Sequence, residues 1–135
     1  MALMTWTKEE YGTNVSVHDQ EHQEMFKLVN ALGEAVSSGN RPATGEKLDA
    51  LIAFISKHFA SEEANFEKCG YPDAAKHKAE HDALVATCLD LQKKFHAAEA
   101  EVTPETAAFV VGWLNNHIPK VDKLYGPFLN EKGVN

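Results

Sequence analysis

The sequence predicts an all-α protein: an up-down-up-down antiparallel four-helix bundle with an N-terminal arm. Apolar residues return every three to four positions in four separate stretches, and no stretch alternates apolar and polar residues as a strand would. Glycines, prolines and helix-capping residues separate the four stretches. The connections between them are short, and short connections make neighbouring helices reverse direction.

The composition indicates one domain with a hydrophobic core. The chain has 135 residues, of which 44% are hydrophobic, so it can bury a core without disulfides. The two cysteines, Cys69 and Cys88, fall in phase with apolar stripes and are expected to be buried free thiols. Residues 1–15, with Trp6 and Tyr11, are expected to form the arm along the outside of the bundle.

Charge and hydropathy argue against several classes of partner. The formal net charge of −7 disfavours nucleic acid and anionic membranes, since both favour clustered lysine and arginine. The start of the chain lacks a basic segment followed by an apolar run, and no apolar run is long enough to span a membrane. We therefore expect a cytoplasmic protein, and a monomer because its surface is polar.

The first two predicted helices cover residues 19–37 and 44–69. Ser16 and Asp19 resemble a capping box before the first helix, and Gly39 is expected to end it. The apolar stripe of the first helix consists of Met25, Phe26, Val29, Leu32 and Val36. That of the second consists of Leu48, Leu51, Ile52, Ile55, Phe59 and Phe66.

The last two predicted helices cover residues 72–97 and 104–125. Thr103 is a suitable N-cap for the fourth helix, and Gly126 with Pro127 is expected to end it. The apolar stripe of the third helix consists of Leu84, Val85, Cys88, Leu91 and Phe95. That of the fourth consists of Phe109, Val110, Trp113, Leu114, Val121 and Leu124.

Two pairs of polar residues lie on the apolar stripes with helical spacing. His58 and Glu62 are four residues apart in the second helix, and His77 and His81 are four residues apart in the third. Each pair alone is weak evidence for a metal site. Two pairs on adjacent helices are much stronger evidence, because both would point into the same core.

The first and fourth helices each add a histidine in phase with the core. His22 leads the stripe of the first helix, and His117 extends that of the fourth. Asp122 follows His117 by five residues, which on a regular α-helix would turn it away from that histidine. Pro119 lies between them, and because proline removes a backbone N–H, we expect a kink or a π-helical widening that returns Asp122 to the same side.

The two remaining histidines are assigned no metal. His96 lies outside the apolar stripe near a helix end and is expected to be a solvated surface residue. His18 lies four residues before His22 and roughly in phase with it, but at the start of the helix. We therefore expect the side chain of His18 to be structural or exposed.

Several polar groups in one small core need a common partner, because each unpartnered buried group costs about 1 to 3 kcal/mol. A metal cluster would supply such a common partner. Imidazole and carboxylate together suit iron, zinc, copper or nickel. A single tetrahedral zinc ion would use only about four of the donors, which argues against zinc.

These motifs resemble the hemerythrin family over nearly the whole chain. The matching residues are Asp19-x-x-His22 with Met25-Phe26, His58-Phe59-x-x-Glu62-Glu63, His77-x-x-x-His81, and Trp113-x-x-x-His117-Ile118 with Asp122 and Tyr125. Every metal-ligand position of the family is filled. The one departure is His18, where the family usually has an apolar residue. The loop lengths are similar to those of the stand-alone bacterial members.

The resemblance implies two iron ions with an oxo or hydroxo bridge, held by five histidines and two bridging carboxylates. By that resemblance the ligands are His77, His81 and His117 on one iron, His22 and His58 on the other, and Glu62 and Asp122 on both.

The function implied by the resemblance is reversible binding of molecular oxygen, for storage or for delivery to an oxygen-requiring enzyme, without catalysis. An apolar pocket would exclude water from the bound oxygen, and its expected members are Met25, Phe59, Trp113, Leu114 and Ile118. Two alternatives stay open: a di-iron redox protein that handles iron, nitric oxide or peroxide, and an oxygen or redox sensor that acts through a separate partner. The excess of histidine over carboxylate favours release of oxygen over its activation.

Overall fold

The computed structural model describes residues 3–135 and contains no strand in that range. Met1 and Ala2, the first residues of the predicted arm, lie outside the described residues. The helical elements are α1 (Lys8–Tyr11), α2 (Ser16–Ser38), α3 (Arg41–Cys69), α4 (Ala74–His96), α5 (Pro104–His117), a π-helix (Ile118–Asp122) and α6 (Lys123–Glu131).

The four long segments form an antiparallel bundle, as the sequence predicts. α2 packs against α3 and α5, and α3 also packs against α4. The chain reverses after α2 at Gly39 and after α3 at Gly70, whose φ angles of 71° and 69° lie in the left-handed region that favours glycine. Short reversals of this kind place the end of α3 beside the starts of α2 and α4.

The helix starts differ from the predicted ones. α2 begins at Ser16, and its N-cap Val15 makes no side-chain cap, so the predicted capping box is wrong. Asp19 instead accepts hydrogen bonds from the backbone N–H and the hydroxyl of Thr13, at 2.9 and 2.8 Å. The carboxylate of Asp19 therefore ties the N-terminal segment to α2 rather than capping the helix.

The next two helices also have shifted starts. α3 begins at Arg41, because the side chain of Asn40 accepts a hydrogen bond from the backbone N–H of Ala43 at 3.0 Å and caps the helix there. α4 begins at Ala74 rather than at Pro72.

The sequence predicted that the last helix ends at Gly126 and Pro127, but the helix continues past them. α6 continues to Glu131 and includes Pro127. A Cβ atom at position 126 would lie 2.1 Å from the carbonyl oxygen of Thr13, so Gly126 allows the N-terminal segment to pack against the helix backbone. Burial of the side chain of Leu129 favours continuation of the helix past the proline.

The N-terminal arm contributes to the core. Met4 and Tyr11 are buried, although the arm was expected to lie on the outside of the bundle. The side-chain oxygen of Asn30 on α2 accepts hydrogen bonds from the backbone N–H groups of Leu3 and Met4, at 2.8 and 2.9 Å. Both cysteines are free thiols, Cys88 buried and the other half-buried. Within residues 3–135, no helix has the length and hydropathy to cross a membrane.

Candidate metal centre

Seven polar side chains converge at the end of the bundle where α2 begins and α3 ends. α2 contributes one, α3 and α4 two each, α5 one and the π-helix one. Each is at most 2% exposed. They are the seven residues that the sequence analysis selects: His22, His58, Glu62, His77, His81, His117 and Asp122.

The π-helix brings Asp122 next to His117. The backbone N–H of Lys123 bonds to the carbonyl of Ile118, five residues earlier, so this turn contains one residue more than an α-helical turn. As a result Asp122 Oδ1 lies 2.9 Å from His117 Nε2. The widening that Pro119 predicts is confirmed.

The carboxylate of Glu62 lies among imidazoles from three helices. Its oxygens lie 3.5 Å from His22 Nε2, 3.4 Å from His58 Nε2 and 3.2 Å from His81 Nε2. The buried hydroxyl of Tyr125 donates a hydrogen bond of 2.5 Å to Glu62 Oε2. One oxygen of Glu62 therefore has a fixed hydrogen bond, while the other faces the histidines.

The carboxylate of Asp122 faces the remaining side of the cluster. Oδ1 lies 2.9 Å from the Nε2 atoms of both His77 and His117, and Oδ2 lies 3.1 Å from His22 Nε2. The two nitrogens near Oδ1 are themselves only 3.1 Å apart. Two imidazole nitrogens and a carboxylate oxygen therefore point at one small volume.

The donor atoms form two groups that share Glu62 and Asp122. Within each group, one donor atom from every residue lies within 4.8 Å of the others. The first group also contains His77, His81 and His117, and the second also contains His22 and His58. Each group can surround one ion, with the carboxylates common to both.

The hydrogen bonding shows that these residues fit metal ions. His22 Nε2, His81 Nε2, Glu62 Oε1 and both carboxylate oxygens of Asp122 are buried and lack a hydrogen-bond partner with suitable geometry, despite the short distances between them. Each such atom costs about 1 to 3 kcal/mol if it remains unpartnered. Since the atoms face a common volume, cations placed there satisfy them together, and nitrogen with oxygen donors suits iron.

The charges of the cluster are strongly coupled. Burial alone would lower the pKa of His22, but the carboxylates of Asp122 and Glu62 raise it to about 10. Burial and the neighbouring Glu62 would raise the pKa of Asp122, but the facing imidazoles, that of His117 first, hold it below its usual range. Burial raises the pKa of Tyr125 well above its ordinary value, so its hydroxyl keeps its proton. The same two carboxylates raise the pKa of His117 against the effect of its burial, so without metal, protons are favoured on His22 and His117.

Two further carboxylates hydrogen-bond to imidazoles from outside the cluster, and a third lies near another imidazole without a hydrogen bond. Glu21 lies 2.8 Å from His58 Nδ1, and Glu63 lies 2.9 Å from His81 Nδ1. Glu80 lies 3.4 Å from Nδ1 of His117 and is 38% exposed. A carboxylate at Nδ1 fixes the ring so that Nε2 points into the cluster, and it increases the basicity of that nitrogen.

The five residues predicted to line an apolar pocket lie in or against the hydrophobic core, and two of them stack on rings of the cluster. The ring of Phe59 stacks on that of His81 at 3.7 Å, and the ring of Trp113 stacks on that of His117 at 4.2 Å. The other predicted members are buried in the same hydrophobic cluster: Met25, Leu114 and Ile118.

The outer carboxylates were not predicted from the sequence. Glu21 and Glu63 are each adjacent in sequence to a predicted ligand, but only the packing of neighbouring helices shows which imidazole they contact. His18 was expected to be structural or exposed. Its side chain is fully buried, so the first expectation is correct and the second is wrong. His96 is exposed, as expected, and its Nε2 lies 2.8 Å from Asp49.

The chain was compared with known families, proteins and structures. The model of the hemerythrin HHE cation binding domain matches residues 13–129. A bacteriohemerythrin of Methylococcus capsulatus (strain Bath) is 58% identical over 130 residues, which cover 96% of this chain and 99% of that protein. A bacteriohemerythrin of Stenotrophomonas maltophilia is 33% identical over 125 residues, covering 93% of this chain and 80% of that protein.

Solved structures agree with these matches. The crystal structure of a wild-type hemerythrin superimposes with a TM-score of 0.93 at 58% identity, covering 95% of this chain and 98% of that one. An L114A hemerythrin mutant superimposes with a TM-score of 0.94 at the same identity, covering 96% of this chain and 98% of that one.

Proposed function

Since the chain belongs to the hemerythrin family, we propose that its converging donors hold two iron ions and that this centre binds molecular oxygen reversibly. The observation that supports the proposal most strongly is the pair of donor groups sharing two buried carboxylates. A site for one ion would not need shared carboxylates with histidines on both sides. Five imidazoles and two carboxylates also match the number of donors that two six-coordinate ions take while leaving room for oxygen.

We assign the ligands by the two donor groups. One iron takes the three histidines from α4 and α5, and the other takes the histidines from α2 and α3. The ligands are His77, His81 and His117 on the first, His22 and His58 on the second, and Glu62 and Asp122 on both. Four helices and the π-helix thus hold the two ions.

When bound, a pair of ferrous ions supplies the electrons that oxygen takes up on binding and returns on release. The protein keeps this exchange reversible by excluding water and protons. The stacked rings of Phe59 and Trp113 and the buried side chains of Leu114 and Ile118 form the apolar wall. The Tyr125 hydroxyl holds its proton against Glu62 and keeps that carboxylate oriented.

We propose that the protein is an oxygen carrier rather than an enzyme. Di-iron oxidases of the ferritin type use a carboxylate-rich ligand set, with one Glu from each of two helices and Glu-x-x-His from the others. Here five neutral imidazoles outnumber two carboxylates. Neutral donors stabilise oxidised iron less than carboxylates do, so return of intact oxygen is favoured.

We further propose that the carrier is a cytoplasmic monomer that supplies an oxygen-consuming enzyme. Both cysteines are free thiols, which suits a reducing compartment. The large exposed hydrophobic residues of the described part are few: Leu3, Val17, Leu89, Phe109 and Leu124. Sedimentation of the iron-loaded protein tests the monomer, since a stable dimer would sediment as a species of twice the mass.

The oxygen-binding proposal is tested by absorption spectroscopy of the anaerobically reduced, iron-loaded protein. Spectra are recorded before air, after air and after argon purging, with iron counted per chain. We expect two irons and a charge-transfer band that appears in air and vanishes under argon. Irreversible oxidation, or turnover of an added reductant, would instead show redox catalysis. Glu67→Gln, which changes an exposed carboxylate on α3, is the control and should behave as the wild type.

A further inference from the structure

A sixth buried histidine at this end of the bundle has no place in the two donor groups. His18 lies on α2, one turn before His22, and is 0% exposed. Its ring packs edge-on against Tyr125 at 5.5 Å. Both of its ring nitrogens have partners: Nδ1 lies 2.9 Å from Glu21 Oε1, and Nε2 lies 2.9 Å from Asn65 Nδ2.

These partners select one tautomer of His18. A carboxylate oxygen only accepts hydrogen bonds, so Nδ1 of His18 carries the proton and donates it to Glu21. A neutral ring then has a lone pair at Nε2, which accepts from the amide of Asn65. All hydrogen bonds in the chain from Asn65 through His18 to Glu21 therefore run in one direction, and both ring nitrogens are satisfied.

The same oxygen of Glu21 also accepts a hydrogen bond from His58. Oε1 of Glu21 accepts from Nδ1 of His18 at 2.9 Å and from Nδ1 of His58 at 2.8 Å. Because these two donors lie on α2 and α3, the carboxylate is held between the helices. The position of Glu21 in turn sets the ring of His58, whose Nε2 faces Glu62 at 3.4 Å.

The other outer carboxylates have no such support. Glu63, which lies beside Nδ1 of His81, is 25% exposed, and Glu80, which lies beside Nδ1 of His117, is 38% exposed. Glu21 is 19% exposed. Of these three outer carboxylates, only Glu21 has a second buried histidine on its oxygen. Glu21 therefore has the most contacts of the three, and it bonds to the donor group that has two histidines rather than three.

We propose that His18 is a positioning residue for the ion bound by His22 and His58: through Glu21 it fixes the ring of His58 and strengthens that ion's binding. The inference rests on the proposed function only in taking His58 as a metal ligand. It does not require that the centre bind oxygen. His18 itself contacts no metal in this account.

The test is an anaerobic titration of the apoprotein with cobalt(II), followed by its absorption spectrum, in His18→Leu. We expect one of the two ions to bind about tenfold more weakly, in the range found for outer partners of metal-bound histidines, and the other to bind as in the wild type. His18→Asn, whose amide can donate from near the position of Nδ1, should restore most of the affinity. His96→Leu, which removes an exposed histidine that also contacts a carboxylate, is the matched control.

A double-mutant cycle separates positioning from packing. Glu21→Gln alone should weaken the same ion, and adding His18→Leu to it should cause little further loss, because His18 acts through that carboxylate. Additive losses would overturn the proposal, and so would two ions bound at wild-type affinity in a folded His18→Leu protein. If His18→Leu does not fold, Asn65→Leu provides the same test by removing the donor to Nε2.

The tautomer offers a test that needs no metal. Long-range proton–nitrogen correlation spectra of the ¹⁵N-labelled apoprotein should show the proton of His18 on Nδ1. A proton on Nε2 alone would break the hydrogen-bond chain and overturn the proposal. The outcome for His18 and the outcome for oxygen binding are separate. A variant that loses cobalt affinity but still binds oxygen reversibly would leave the proposed function intact. If the protein does not bind oxygen at all, the cobalt titration still tests the role of His18.

Discussion

The two ends of the bundle are built on different principles. At one end the core is mainly apolar and includes Leu32, Leu48 and Phe95. The guanidinium of Arg41 lies 4.0 Å over the ring of Phe95 and covers that end. At the other end two carboxylates and five imidazoles are buried together. We call these the apolar end and the metal end.

The difference separates stability from function. Burial of apolar side chains stabilises the apolar end whatever ions are present. The metal end contains buried donor atoms without hydrogen-bond partners, so it needs a cation to satisfy them. Changes at the apolar end should therefore act on folding, and changes at the metal end on metal binding. Substitutions at the two ends and a change of pH test this separation.

The largest effect is expected for Glu62→Gln at the metal end. Glutamine is neutral and offers one oxygen instead of two, so both ions lose one of the two carboxylates that they share. Breaking a buried charge pair costs about 3–5 kcal/mol, which corresponds to a loss of affinity on the order of a thousandfold for each ion. Iron counted per chain after anaerobic loading and desalting should fall to near zero. Retention of two irons would contradict the assignment, and Glu67→Gln on the same helix is the control.

Leu48→Ala at the apolar end should affect folding alone. Leu48 is 3% exposed and precedes His58 on α3 by ten residues, about 15 Å along the helix. Its truncation should lower the free energy of unfolding by about 2–5 kcal/mol. Urea unfolding of the apoprotein measures the loss. Iron per chain should stay at the wild-type value under folding conditions, and a proportional loss of iron would show that the two ends are not separate.

A smaller effect is expected for the outer carboxylates. Glu63→Gln removes the charge 2.9 Å from His81 and should weaken metal binding about tenfold to a hundredfold. Glu80→Gln should weaken it less, because Glu80 lies 3.4 Å from His117 and is more exposed. Cobalt(II) titration of the two variants side by side measures both. The reverse order would show that burial does not determine the strength of this support.

The last effect is a pH dependence of metal binding, which is gradual rather than a single loss. Glu62 and Asp122 raise the pKa of His22 in the apoprotein from 6.5 to about 10. The proton on His22 therefore stabilises the folded apoprotein fully below pH 6.5, and this contribution is lost as the pH rises through about 10. Because a ligand histidine must be neutral, metal binding at about pH 8 should release this proton. The affinity should rise about tenfold per pH unit for each proton released, and a constant affinity from about pH 7 to 9 would contradict this.

The sequence predicted most of the apolar end and the convergence of donors, because both follow from helical periodicity. His58 with Glu62, and His77 with His81, share helix faces at any register of packing. The position of Asp122 needed a second kind of evidence, namely the missing N–H of Pro119. That residue predicted a kink or a π-helical widening, and the structure has the π-helix.

Other features depend on contacts between segments that are distant in sequence. Gly126 looks like a helix stop by local rules, but it allows Thr13 to approach the backbone of α6. His18 was expected to be structural or exposed because it lies at a helix start. Only the packing of α3 against α2 brings Asn65 to its Nε2 and buries it. Such pairings have no local sequence signal.

The most direct test of the account is a crystal structure of the iron-loaded protein with anomalous scattering measured at the iron edge. We expect two peaks per chain, one beside the Nε2 atoms of His77, His81 and His117 and one beside those of His22 and His58. Glu62 and Asp122 should contact both peaks. A single peak, or a peak on the Nδ1 atom of His18, would contradict it.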